Sequence, residues 1–148
     1  MKTALAAFSL VVATSVQAAP LYVGVIGDGM KAFVYGDDIV RTHGTLTNGL
    51  GVDKIIDMRF FTERVTANMR RNDGQILWNT TDVRYRVDCE SLRIEMLYSD
   101  SYLGRTKVYS QSYRAGQYAV VPPSGTEMYN MARAVCNYQN RKDQKEPK

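Results

Sequence analysis

The chain has 148 residues, of which 45% are hydrophobic, and a formal net charge of +4. This length is enough for one domain with a substantial core. The small excess of basic residues is weaker than the basic stripe of a typical nucleic-acid-binding protein, so we expect no nucleic-acid partner.

Residues 1–18 are predicted to be a secretory signal peptide. Met1-Lys2 gives a positive start, residues 4–12 form an apolar run, and Val16-Gln17-Ala18 supplies small residues for cleavage. The apolar run is shorter than the ~20 residues that a membrane span needs. We therefore expect an exported chain without an integral membrane segment in its mature form. No cysteine lies near the cut, so no lipid anchor is expected.

The mature chain begins with two short predicted strands, residues 21–26 and 31–35, joined by the turn signal Gly27-Asp28-Gly29. Residues 36–51 contain four glycines and are predicted to be irregular, with a helical turn at 37–41. His43, the only histidine, lies in this segment. No acidic partners can be placed beside it, so we predict neither a metal site nor a cofactor.

Four further strands are predicted in the middle of the chain. Residues 52–65 form a long strand candidate, followed by a loop at 68–75. Residues 82–89 alternate polar and apolar side chains with period 2, as in a half-buried antiparallel strand, and Cys89 lies on the apolar side. Strands at 92–98 and 106–113 follow, with a turn at 100–104. The pattern predicts an antiparallel meander of about six strands.

A helix is predicted near the C-terminus. Ser124-Gly125-Thr126-Glu127 matches a capping box, with Ser124 as N-cap and Glu127 as its partner. The apolar residues that follow have helical spacing: Met128, Met131, Ala132, Val135 and Cys136. We expect this helix to pack on one face of the sheet, giving an α+β fold. A single domain would then cover residues 19–138, and the charged tail 139–148 is predicted to be disordered.

Cys89 and Cys136 are the only cysteines. In an oxidising compartment such a pair is expected to form a disulfide. Because Cys89 lies on the apolar side of its strand and Cys136 on the apolar stripe of the helix, the bond would fasten the helix to the sheet.

The other sheet face is the predicted protein-binding surface. If the helix covers the face of Ile56 and Val83, a mixed group projects from the opposite face: Arg59, Phe61, Arg84, Arg86, Arg93 and Leu97. Arginine mixed with apolar side chains is typical of interaction surfaces. The alternative is a solvated face with cross-strand ion pairs. No catalytic residue is predicted, since the chain has no nucleophile, zinc or phosphate-loop motif.

The order of features resembles the surface-adhesin protein E family of Gram-negative bacteria. The resemblance is carried by Tyr85-Arg86-Val87-Asp88-Cys89, the tyrosine-ended strand Met96-Leu97-Tyr98, and Ser124 and Glu127 before a helix that closes on Cys136. It implies a six-stranded antiparallel sheet with a C-terminal helix and a dimer formed through the sheet. It also implies binding of host matrix or serum proteins such as vitronectin, laminin and plasminogen.

Two alternative functions are therefore expected. The first is a non-enzymatic adhesin-like domain that binds a host protein. The family's type protein is a lipoprotein, whereas no acylated cysteine is predicted here. That departure favours a second function, a periplasmic accessory or scaffold subunit that docks onto an envelope assembly or onto a second copy of itself. A hydrolase or a hydrolase inhibitor is a weaker third alternative.

Overall fold

The computed structural model describes residues 19–26, 30–47 and 53–139. The predicted signal peptide and residues 140–148 of the predicted tail lie outside these ranges. Within the described residues, no helix is long and apolar enough to cross a membrane.

The described residues form one antiparallel sheet and one α-helix. The strands are β1 (Tyr22–Ile26), β2 (Met30–Val34), β3 (Val40–Thr47), β4 (Asp53–Arg70), β5 (Ile76–Asp88), β6 (Arg93–Leu103), β7 (Thr106–Ser112) and β8 (Ala119–Val120). A 3-10 turn covers Gly36–Asp38, and helix α1 covers Glu127–Asn137. The α+β prediction is confirmed, with eight strands in place of about six.

The sheet has the order β1-β2-β4-β5-β6-β7, and all pairings are antiparallel. Strand β4 is long enough to take two partners on the same side. Its first part pairs with β3, up to Val40 opposite Phe60, and its later part pairs with β2, where Lys31 lies opposite Thr66. Strand β8 pairs with the start of β6, ahead of β7. Each edge of the sheet is therefore built from two short strands.

Three loop predictions are wrong. The segment 36–51 contains the 3-10 turn and β3, because pairing along β4 outweighs the weak strand propensity of its glycines. Strand β6 continues through the predicted turn at 100–104, and the chain turns only at Gly104, which has a positive φ of 61°. The predicted loop 68–75 shrinks to a tight turn around Gly74, whose φ is 83°.

The helix starts later than its predicted cap. The N-cap is Thr126, whose hydroxyl oxygen accepts a hydrogen bond from the backbone N–H of Tyr129 at 3.2 Å. The same hydroxyl donates to the Pro123 carbonyl at 2.8 Å. Glu127 is the first helical residue, so the predicted capping box between Ser124 and Glu127 is wrong. Gly125, at φ 84°, turns the chain between Ser124 and the real cap.

The core lies between α1 and one face of the sheet. Met131, Ala132 and Val135 of the helix belong to the same buried cluster as six residues of the strands: Val34, Phe61, Val83, Tyr85, Val87 and Ile94. The rings of Phe61 and Tyr85 stack across β4 and β5 with centroids 5.4 Å apart. Each fully buried side chain of this size contributes about 1.5–3 kcal/mol to folding.

The predicted disulfide joins Cys89, just after β5, to Cys136 in the last turn of α1. Both cysteines pack against the edge of the core. An isolated helix of 11 residues is marginal in water. The covalent link therefore holds the helix where its apolar stripe meets the sheet.

Candidate binding surface

The two faces of the sheet can be assigned from the strand register. Side chains directly opposite each other on neighbouring strands share a face. We call the face that packs on α1 the helix face, and the face turned away from α1 the distal face. One row across the distal face comprises Val23, Phe33, Arg64, Asp82, Asp100 and Ser110. A second row comprises Val40, Phe60, Arg86 and Glu95.

Arg59 and Phe61 do not belong to the distal face. Phe61 lies opposite Tyr85, Arg59 lies opposite Val87, and both are buried on the helix face. Their predicted exposure is wrong because the apolar Ile56 was taken to mark the helix side of β4. Ile56 is buried, but it lies on the opposite side of the strand and outside the main core cluster.

Arg59 instead holds the C-terminal end of α1. Its Nη1 donates to the carbonyl oxygen of Val135 at 2.8 Å and also to that of Tyr138. Its Nη2 lies 3.5 Å from a carboxylate oxygen of Asp57, which also pairs with Arg41 at 3.1 Å. A cation at this helix end satisfies carbonyls that have no partner within the helix and interacts favourably with the helix dipole. The role is structural.

The other predicted surface residues lie on or beside the distal face. Arg84 is half-buried, and its Nη1 donates to the Thr62 hydroxyl at 3.1 Å and to the Asp38 carbonyl at 3.3 Å. Arg86 pairs with Glu95 across β5 and β6. Arg93 is exposed. Leu97 is half-buried where a register shift interrupts the pairing of β5 with β6.

Most of the distal charge is already paired within the sheet. Arg64 donates two hydrogen bonds to Asp82, at 2.7 and 2.8 Å, and Lys107 donates to Asp100 at 2.6 Å. The pKa of the Asp100 carboxyl is held below its usual range by Lys107 and then by the Ser110 hydroxyl. The centre of the distal face is thus a network of cross-strand ion pairs, the alternative that the sequence left open.

Glu95 is the most enclosed anion of this network. Burial alone would raise the pKa of its carboxyl, but hydrogen bonds from the Gly116 N–H and from Arg86 outweigh that effect and hold the pKa below its usual range. Glu95 thereby ties the loop before β8 to the distal face. Because the Glu95 carboxylate already accepts these hydrogen bonds, it is poorly placed to bind a partner protein.

Two groups of apolar side chains border this network, one on β1 and β2 and the other on β3 and β4. Val23, Val25 and Val40 are 53%, 57% and 54% exposed, although they lie in regular strands. Half-buried Phe33 and Phe60 lie directly opposite Val23 and Val40. We call these five residues the apolar margin. The apolar margin could not be predicted from the sequence, because Val40 lies in a segment predicted to be a loop and residues 21–26 show no polar and apolar alternation that would mark an exposed side.

The described residues contain no cluster of three or more His, Cys, Asp or Glu side chains that could hold a metal ion. A shallow groove of about 360 Å³ is lined by Thr66, Ala67, Asn68, Asn79 and Thr80, none of which titrates near neutral pH. The buried carboxyl of Glu63 lies in the core, where burial raises its pKa and a hydrogen bond from Tyr85 partly offsets that rise.

Comparison of the chain with protein-family models, with curated proteins and with solved structures found no match.

Proposed function

We propose that this protein is an exported, non-enzymatic domain that binds another protein through the distal face of its sheet. The observation that carries the proposal is the apolar margin, in which three valines stay more than half exposed beside two phenylalanines. Several exposed apolar side chains on one sheet face commonly mark a contact surface. Export is favoured by the predicted signal peptide, and the disulfide is compatible with it.

The charged network beside the margin would form the rim of the contact. Interfaces combine an apolar centre with a polar border that orients the partner. Arg93 is exposed at the start of β6, and Arg84 makes its described hydrogen bonds to neutral oxygen atoms. These two arginines are better placed to meet an acidic partner than Arg86, which already pairs with Glu95.

The resemblance to the adhesin E family favours a host matrix or serum protein as the partner. The second candidate, a periplasmic accessory subunit, is favoured by the predicted absence of a lipid anchor. Localisation separates the two. Antibody labelling of intact cells supports the adhesin, whereas release of the protein by osmotic shock alone supports the periplasmic subunit.

Binding can be tested with the purified mature protein on immobilised vitronectin, laminin and plasminogen. We expect Val40→Asp to weaken binding at least tenfold, because it places a charge in the apolar margin. Val121→Asp is the matched control, since Val121 is equally exposed but lies outside the sheet. No binding by the wild-type protein to any of the three would reject the adhesin function. Equal losses in the two variants would reject the margin as the contact.

A further inference from the structure

A group of tyrosines occupies the helix face at the end of the sheet away from α1. Ser99 and Ser101 of β6 lie opposite Val83 and Thr81 of β5, which puts them on the helix face. Their neighbours on β7 are Gln111 and Tyr109. Helix α1 lies over β1 and β4, at the other side of the sheet. Together with Tyr113 and Tyr118 from the segment after β7, these residues form what we call the tyrosine shelf: Ser99, Ser101, Tyr109, Gln111, Tyr113 and Tyr118.

Hydrogen bonds hold the shelf in one arrangement. The hydroxyls of Tyr109 and Tyr113 both donate to the Gln111 side-chain oxygen, at 3.1 and 3.4 Å. The Tyr113 hydroxyl is also 3.2 Å from that of Ser99. The rings of Tyr113 and Tyr118 meet edge to face with centroids 4.9 Å apart. Tyrosine side chains fixed in this way lose little conformational freedom when a ligand binds.

The shelf is nevertheless open to solvent. Tyr109 and Tyr118 are 55% and 50% exposed, whereas Ser99 and Ser101 are buried. Two donors already occupy the Gln111 oxygen, and within the described residues nothing accepts a hydrogen bond from its amide nitrogen. The shelf therefore presents aromatic rings, phenolic oxygens and an amide donor together.

The chemistry of these six side chains selects the ligand. None of them is charged near neutral pH, so a strongly anionic or cationic ligand would find no counter-charge among them. A sugar ring has apolar C–H faces that can lie on a tyrosine ring, and its hydroxyls both donate and accept hydrogen bonds. The shelf lies on the neighbouring strands β6 and β7 and the segment after them. Its residues 109–113 extend about 13 Å along the chain, so it can contact more than one ring of an oligosaccharide.

We propose that the tyrosine shelf is a binding site for a neutral oligosaccharide. Rings of Tyr109 and Tyr118 would stack on the C–H faces, while the Gln111 amide and the phenolic oxygens bond the hydroxyls. The site is separate from the apolar margin, which lies on the distal face at the opposite end of the strand order. It does not depend on the proposed protein-binding function.

The test is a titration of the mature, disulfide-bonded protein with neutral oligosaccharides on an array that includes chitohexaose and cellohexaose. For each ligand that binds, calorimetry measures the affinity and changes in amide chemical shifts locate the site. We expect Tyr109→Ala and Tyr118→Ala each to weaken binding about three- to tenfold, the scale of one aromatic contact. Tyr109→Phe keeps the ring and should lose less. Shifts should centre on residues 99–101 and 109–118.

Tyr98→Ala is the matched control, because Tyr98 is a similarly exposed tyrosine on the distal face. It should bind the sugar normally, as should Val40→Asp. The proposal is overturned if no neutral oligosaccharide on the array binds, or if Tyr98→Ala weakens binding as much as Tyr109→Ala. The proposal is also overturned if the shelf variants lose binding to a protein ligand but bind the sugar normally. Unchanged thermal unfolding in each variant shows that the fold is intact.

Discussion

Arg59 was predicted to lie on the binding surface, but its side chain is buried and has a structural role. It is only 5% exposed, and its guanidinium reaches two carbonyls at the end of α1 and the carboxylate of Asp57. Arg59→Met would leave the Tyr138 carbonyl without its described donor, the Val135 carbonyl with only the Tyr138 N–H, and Asp57 with only Arg41. We expect the free energy of unfolding to fall by about 2–4 kcal/mol.

The control for Arg59 is Arg93→Met, which removes an arginine from an exposed position of the same sheet. The free energy of unfolding of Arg93→Met should stay within about 0.5 kcal/mol of the wild-type value. Urea unfolding of both variants measures the difference. Equal stabilities would contradict the role assigned to Arg59 at the helix end.

Glu63 gives the fold a dependence on pH. Burial raises the pKa of its carboxyl, so the folded state holds the proton more tightly than the unfolded chain does. The resulting stabilisation is fully present below the ordinary glutamate pKa of about 4.3 and is lost as pH rises through the folded-state pKa. Glu63→Gln removes this loss. Its stability relative to the wild type should therefore increase from pH 4 to pH 8.

The Tyr85 hydroxyl provides a second check on Glu63, since its hydrogen bond lowers the pKa of that carboxyl. Tyr85→Phe should raise the pKa further, so that the variant loses more stability with rising pH than the wild type does. Chemical unfolding at several pH values measures both variants. A parallel pH dependence in the wild type and Glu63→Gln would refute the assignment.

At the level of elements, the start of α1 has two candidate caps two residues apart, Ser124 and Thr126. The Thr126 hydroxyl accepts from the Tyr129 N–H and donates to the Pro123 carbonyl. Thr126→Ala should cost about 1 kcal/mol. Ser124→Ala, the control, should cost less than about 0.5 kcal/mol because Ser124 lies exposed before the cap. The reverse order in thermal unfolding would restore the capping box predicted from the sequence.

The disulfide is the second feature that fixes the helix. It closes a loop with a sequence separation of 47 residues, for which the chain-entropy account gives about 4 kcal/mol. The double variant Cys89→Ala/Cys136→Ala should lose stability on that scale, and reduction of the wild type should have a similar effect. Unfolding with and without reductant measures it. A reductant effect that persists in the double variant would show that the loss has another origin.

For the whole molecule, the sequence predicts the architecture better than the surface. The α+β class, the disulfide and the helix follow from local signals: period-2 alternation at 82–89, helical spacing after residue 127, and two cysteines. Strand β3 could not be predicted, because its stability comes from pairing with β4 and not from its own glycine-containing sequence. Which side of β4 meets the helix is also a long-range property, so Arg59 and Phe61 were placed on the wrong face. The tyrosine shelf likewise needs the register of β6 and β7.

Stability should be unevenly distributed along the two longest strands. The central parts of β4 and β5 lie between further strands. Strand β2 pairs with β4 as far as Thr66, and β6 pairs with β5 from Thr80 to Asp88. Beyond these points, within the described residues, β4 and β5 pair only with each other, and a register shift follows Thr66. A two-stranded ribbon is marginal by itself in water. We therefore expect the tip, residues 69–78, to open while the sheet stays folded.

Native-state amide hydrogen exchange tests this gradient within single strands. Amides of residues 69–71 and 75–78 should exchange at least 100-fold faster than the bonded amides of residues 59–65 and 81–87, which open only with the core. The side chains at the tip agree with this, since Met69 and Leu77 are about half exposed while Phe61 and Val87 are fully buried. Reducing the disulfide should speed exchange in the centre but leave the tip nearly unchanged, because the bond fastens α1 to the core. Uniform protection along β4 and β5 would mean that the tip is held by contacts beyond strand pairing.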